Sequence, residues 1–210
     1  MQIVSVNVGR AQELRGRSFD GVTGIFKESA DAPVTVTALG LKDDAICDGK
    51  HHGGPDQAVY LYRQEDYDWW SEALGRPVAP GTFGDNLTVA GLPSPALPIG
   101  ARLAFPELVL EVTAPRIPCN TLAQRMDDPT FGKAFVRAER PGIYARVVRE
   151  GRVTAGDAFT LEAADAGATT VDLFRDSYRR LDADRLRHWL ALPIDERTRA
   201  RFEAELAARG

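Results

Sequence analysis

Cys119 is one of two cysteines in 210 residues, and its neighbours give it chemical possibilities that Cys47 lacks. It lies in Pro115-Arg116-Ile117-Pro118-Cys119-Asn120, between a strand-like and a helix-like run. Two prolines stiffen the segment and hold the thiol in place. A cysteine at a helix start beside an arginine feels a positive potential, which lowers its pKa. Such a thiolate can attack an electrophile or bind a soft metal. The densest polar cluster is His51-His52-Gly53-Gly54-Pro55-Asp56. Two glycines before a proline allow a sharp turn with unshielded amides, a shape that cradles an anion. His52 and Asp56 can exchange hydrogen bonds there. A third segment, Phe83-Gly84-Asp85-Asn86-Leu87, places a glycine and two turn-forming residues directly before a strand-like run. Taken singly, the second segment fits a polar loop equally well, and the third fits an ordinary Asp-Asn turn better than a site. Cys47 reads as a small half-buried residue, His188 as a helix-surface residue, and Trp69-Trp70 as core or subunit contact.

Several chemistries find no support. There is no GxGxxG, Walker lysine motif, GxSxG elbow or HExxH. Twenty-six basic against 30 acidic residues give a formal charge of −4, which argues against nucleic acid as a partner. Two cysteines are too few for an iron–sulfur cluster or a structural zinc site. The longest apolar run, residues 58–62, is five residues against the roughly 20 of a membrane span, so no membrane partner is expected. The N-terminal Met1-Gln2-Ile3-Val4 reads as a strand rather than a signal peptide. The expected compartment is the cytoplasm, where both thiols stay reduced.

The elements that must position these segments are mostly short strands. Strand-like runs fall at 3–8, 24–27, 34–39, 58–62, 87–89, 102–105, 108–113, 143–148 and 158–161, separated by Gly, Pro and Asp turns. This spacing predicts a strand-rich α+β fold with a barrel-like, curled mixed sheet and flanking helices. Helical stretches are expected at 64–74, with Tyr67, Trp70 and Leu74 on one face, at 120–126 and at 129–137. From Thr169 the character changes: Val171, Phe174 and Tyr178 recur at helical spacing. Asp182 then reads as an N-cap before Leu186, Trp189 and Leu190. A last segment, 195–208, carries Phe202 and Leu206. The chain thus divides into 1–165 and a three-helix tail, 166–210. The tail is too small to hold a core alone and is expected to pack on the barrel or on a second subunit of a homodimer.

Together, His52-Gly53-Gly54-Pro55-Asp56, Phe83-Gly84-Asp85-Asn86-Leu87 and Pro115-Arg116-Ile117-Pro118-Cys119 resemble the MOSC family, domains similar to the C-terminal part of molybdenum cofactor sulfurase. With the three-helix tail, the resemblance is to stand-alone bacterial YiiM-type members and covers nearly the whole chain. It implies a molybdenum–pterin cofactor with Cys119 as the protein ligand to the metal. It also implies Arg116 as a fork for the cofactor phosphate, and His52, Gly53, Gly54, Asn86 and Asn120 as further cofactor contacts. The implied activity is reduction of small N-hydroxylated compounds, such as hydroxylaminopurines, by oxygen-atom transfer. A separate electron-donor protein would supply the electrons, and Asp56 or Asp85 a proton. The chain departs from the family pattern at Gln57, where a basic residue is frequent, at Asp85, where glutamate is usual, and at Asn120-Thr121. Two other uses of the same thiol stay open: a cofactor or persulfide carrier without turnover, and a cysteine hydrolase pairing Cys119 with His52 and an acid. Pyridoxal phosphate is not expected, since none of Lys27, Lys42, Lys50 and Lys133 lies in a recognisable Schiff-base motif.

Overall fold

Successive side chains of a strand point to opposite faces, so a strand buried on both faces must satisfy two different surroundings. Val59–Arg63 is such a strand, with all five residues buried. Val59 and Leu61 join an aliphatic core, while Tyr60 and Tyr62 join an aromatic one with Tyr67, Trp70, Phe83, Phe131 and Phe135. The whole fold is arranged around this division.

The structure, a computed structural model, describes residues 1–165 and 167–209. In chain order the elements are β1 (Gln2–Gly9), β2 (Gln12–Leu14), β3 (Gly21–Thr23), β4 (Lys27–Ser29), β5 (Val34–Thr37), β6 (Gly40–Leu41), β7 (Val59–Arg63), α1 (Gln64–Leu74), β8 (Leu87–Ala90), β9 (Arg102–Ala104) and β10 (Val109–Ala114). There follow α2 (Asn120–Arg125), α3 (Phe131–Ala138), β11 (Ile143–Arg149), β12 (Gly151–Val153), β13 (Thr160–Glu162), α4 (Thr170–Asp176), α5 (Ala183–Leu190) and α6 (Glu196–Ala207). A 3₁₀ turn, Pro55–Gln57, leads into β7.

The main sheet has eight strands in the order β13-β9-β10-β11-β7-β8-β1-β4. Its pairings are antiparallel except β7 with β8, which are parallel and joined through α1. The strand-rich α+β expectation holds. The ladder itself does not close into a barrel. Instead the sheet curls until β1 meets the segment before β13: Gln2 bridges Ala158, and the Ile3 N–H donates to the Asp157 carbonyl at 2.9 Å. Separate small sheets, β12-β5-β6 and β2-β3, flank it.

The expected helices form, 64–74 with the expected ends and the others with ends shifted by up to two residues. Tyr67 and Trp70 of α1 are buried in the aromatic core, whereas Trp69 stays partly exposed under the Arg140 guanidinium, 4.8 Å from its ring centroid. In the tail, Asp182 caps α5 as expected, accepting from the Arg185 N–H at 2.8 Å. Leu173, Leu186, Trp189, Ile194 and Phe202 enter the same aliphatic cluster as the sheet, so the tail packs on the sheet of its own chain. Tyr178 departs from expectation: α4 ends at Asp176, which leaves that ring exposed. The expected boundary between 165 and 166 falls on Ala166, outside the described residues. Among the described residues no helix is long and apolar enough to cross a membrane.

Candidate functional site

The aromatic side of β7 forms part of a cleft of about 680 Å³, open to solvent. Tyr60 of β7 and Tyr144 of β11 are register partners with ring centroids 5.0 Å apart, and both line it. Arg116 lies over Tyr60, its guanidinium carbon 4.9 Å from the ring centroid. Residue 84 packs against Ile25 and the Arg116 guanidinium. A Cβ there would stand 3.2 Å from Ile25 Cγ1 and 3.5 Å from Arg116 Nη1, and φ at Gly84 is +79°, a region costly for other residues. Gly53 is constrained in the same way: φ is +69°, and a Cβ would meet Ile46 Cδ1 at 2.8 Å.

Arg116 is 5% exposed, and its Nε has no hydrogen-bond partner. Its contact is with sulfur: Nη2 lies 3.9 Å from Cys119 Sγ. Burial opposes its charge, but Tyr144, Tyr60 and the Cys119 thiolate outweigh that and hold it protonated beyond the ordinary arginine range. Cys119 stands at the N-cap of α2, where its backbone carbonyl accepts from the Leu122 and Ala123 N–H groups. Burial alone would raise the pKa of this thiol. Hydrogen bonding from His52 and the charges of Arg116 and His52 prevail, and the thiol ionises at about 6. At neutral pH the base of the cleft therefore carries a thiolate beside a buried guanidinium.

A second ion pair also lines the cleft. Lys27 and Asp44 are both buried and directly bonded. Asp44 also accepts from the Gly9 N–H at 2.7 Å and from Asn86 Nδ2 at 2.9 Å. Asn86 Oδ1 in turn accepts from the Tyr60 N–H at 3.1 Å, so the Asn86 side chain ties β7 to this wall. Burial pulls the Lys27 pKa down while Asp44 resists. With its carboxylate in contact, Lys27 offers little net charge to a ligand, whereas Arg116 keeps an Nε without a partner.

Of the residues expected from sequence, His52, Gly53, Asn86, Arg116 and Cys119 come together on the cleft wall. Gly54, Asp56, Asp85 and Asn120 do not line it. Asn120 is exposed at the start of α2, and Thr121 takes the wall position. Asp56 turns toward the tail: Oδ1 pairs with Arg146 Nε at 3.0 Å, and Oδ2 accepts from the Glu196 N–H at 2.9 Å. Asp85 is fully buried, accepting from the Tyr67 hydroxyl, from Thr88 Oγ1 at 2.6 Å and from Asn7 Nδ2 at 3.4 Å. Burial pushes its pKa upward. Both carboxylates are thus engaged in holding elements together, away from the cleft, which is not the placement a proton donor to a bound substrate requires. Cys47 corrects another expectation: it is exposed, and it lies on the cleft wall. Sequence reasoning missed Lys27, Asp44, Tyr60 and Tyr144. Lys27 carried a faint signal, a charged residue inside a strand-like run, whereas Asp44 sits in an unpatterned turn.

Comparison with known proteins bears on what this cleft is for. Residues 48–160, which carry His52, Gly53, Asn86, Arg116 and Cys119, match the MOSC domain model. The chain belongs to the MOSC domain family. YflK of Bacillus subtilis is 38% identical over 157 residues, covering 73% of this chain and 70% of YflK. A Gibberella moniliformis protein named Reductase is 33% identical over 144 residues, covering 66% of this chain and 25% of that larger protein. The crystal structure of YiiM from Geobacillus stearothermophilus has the same fold, with a TM-score of 0.80 and 27% identity over 98% of both chains. MOSC domains are associated with binding of the molybdenum cofactor.

Proposed function

We propose that this chain is an oxidoreductase that holds a molybdenum–pterin cofactor in the cleft and reduces small N-hydroxylated compounds. The observation that carries the proposal is the buried pair formed by the Cys119 thiolate and Arg116. Among the described residues no group of three or more His, Cys, Asp or Glu is placed to hold a metal ion. A metal at Cys119 must therefore take its other donors from a ligand, as the dithiolene sulfurs of a pterin provide. The unpartnered Nε of Arg116 suits the phosphate of the same ligand. The residues present fit the group.

When bound, the cofactor supplies two-electron chemistry at the substrate's nitrogen–oxygen bond. The net change takes the hydroxylamine, two electrons and two protons to the amine and water. Cys119 needs no base to become a ligand at neutral pH, since it is already ionised. Arg116 holds that thiolate in place and offers its free edge to an anion. His52, beside the sulfur, is placed to hold or pass a proton. Tyr60 and Tyr144, their rings tilted 38° to each other, give the cleft an aromatic wall. Electrons come from a separate protein. The fungal relative named Reductase supports the reaction class, and family membership supports the cofactor.

The test is turnover of a hydroxylaminopurine by protein purified from a cofactor-producing host, with reduced methyl viologen as electron source and chromatography of the amine product. Amine formation that disappears in Cys119→Ser is the expected result. Molybdenum-loaded protein that forms no amine overturns the reductase proposal. A 32 Da adduct on Cys119 without metal would point instead to sulfur carriage.

A further inference from the structure

The loop that brings His52 and Gly53 to the cleft has little structure of its own. Residues 53 and 54 both adopt positive φ, and the loop's internal bonds all converge on Asp48: its side chain accepts from the Lys50 and His51 amides and meets His51 Nδ1 at 2.9 Å, and its carbonyl accepts from the His52 N–H at 3.0 Å. Such a segment pays a large entropic cost to stay in one shape. The tail supplies what is missing. Arg197, in the first turn of α6, spreads its guanidinium over four loop carbonyls. Nε donates to Lys50 at 3.0 Å, Nη1 to Gly53 at 2.8 Å, and Nη2 to Gly49 at 3.0 Å and His52 at 3.3 Å. The same turn holds the far end of the loop, where Asp56 accepts from the Glu196 N–H and Gln57 Nε2 donates to Asp195 Oδ1 at 3.1 Å.

We propose that Arg197 is a positioning residue for the cleft, a clamp by which the C-terminal helix fixes the 48–53 loop and so places His52 and Gly53 on the wall beside Cys119. A guanidinium fits this task because its five N–H donors form a rigid planar fork, which an ammonium cannot reproduce. The carboxylates of the loop are Asp48, which faces His51, and Asp56, which pairs with Arg146; neither pairs with Arg197, so its donors are free for backbone. Gln57 has a matching role: as a neutral donor it meets Asp195 without bringing a second cation near Arg197. The clamp also gives the tail a part in the site, since the thiol and the loop lie in one segment of the fold and their brace in another. The inference rests on the reading of Cys119 as the working group of the cleft, but its first readout needs no cofactor.

Amide hydrogen exchange on the apo-protein compares wild type, Arg197→Ala, Arg197→Lys and, as a control for loss of a cation from the C-terminal segment, Arg209→Ala, two residues past the end of α6. In Arg197→Ala the 48–53 amides should exchange about ten- to a hundredfold faster, with β7 and α5 unchanged. Arg197→Lys should recover only part of the protection, ethylguanidinium added to Arg197→Ala should restore some of it, and Arg209→Ala should match wild type. Molybdenum per chain, measured on protein from a cofactor-producing host, should fall in Arg197→Ala in step with the loss of protection. Unchanged exchange in the 48–53 loop overturns the clamp, as does faster exchange spread evenly over the whole chain. If wild type holds no molybdenum, the cofactor proposal fails by itself, while the exchange comparison still decides the role of Arg197.

Discussion

Replacing Arg116 by glutamine in a Cys47→Ser background tests the electrostatics of the site with a single reactive thiol. Arg116 Nη2 lies 3.9 Å from Cys119 Sγ. At an effective dielectric near 20, a unit charge at that distance favours the thiolate by about 4 kcal/mol, which bounds the effect at about 3 pKa units. Water entering the vacated space and the remaining His52 reduce this, leaving an expected rise of about 1 to 2 units. The sign follows from the charge: Arg116 stabilises the ionised form, so its removal raises a pKa now near 6. Iodoacetamide alkylation, followed by intact mass across pH 4.5 to 9, should give a midpoint near 6 for the parent and about 7 to 8 for the variant. At pH 6.5 the variant should react roughly three- to twenty-five-fold more slowly. Far-UV circular dichroism checks that the variant folds. A folded variant whose midpoint stays near 6 refutes the claim that the guanidinium activates the thiol.

Two further outcomes follow from the packing around the cleft. Tyr67→Phe removes a hydroxyl that donates to Asp85 and accepts from the Phe83 N–H, leaving both buried groups short of a partner; urea denaturation should show a loss of about 1–3 kcal/mol. Gly84→Ala forces a Cβ into a positive-φ residue against Ile25 and Arg116, and should lower the melting temperature while cutting molybdenum content, with wild-type content the contrary result.

How much of this was legible in the sequence depends on the kind of signal. The strand at 58–62 was visible as an apolar run, but period two does not distinguish an aliphatic face from an aromatic one, and that division makes the tyrosine wall of the cleft. The hairpin of β2 and β3 carried no alternation to read, since its strands have three residues each and one is mostly exposed. Arg116 and Cys119 were recognisable because they lie three residues apart, and local spacing survives folding. The Lys27–Asp44 pair and the Arg197 clamp join residues 17 and about 150 positions apart, and nothing local marks which partners meet. Asp56 and Asp85 illustrate the converse. Their place in a motif suggested chemistry, whereas their hydrogen bonds tie α6 to the loop and α1 to the sheet. Polar residues beside a site are read as participants when only the chain is known, because the acceptors they satisfy are set by tertiary contacts.

The central claim is that the cleft takes a molybdenum–pterin cofactor through Cys119. Elemental analysis for molybdenum, with fluorescence of the released oxidised pterin, tests it on wild type and Cys119→Ser expressed in a cofactor-producing host. Near-stoichiometric molybdenum and pterin in wild type, with the metal lost from the variant, is the expected result. Wild-type protein with neither metal nor pterin, or a variant that keeps its molybdenum, contradicts the account.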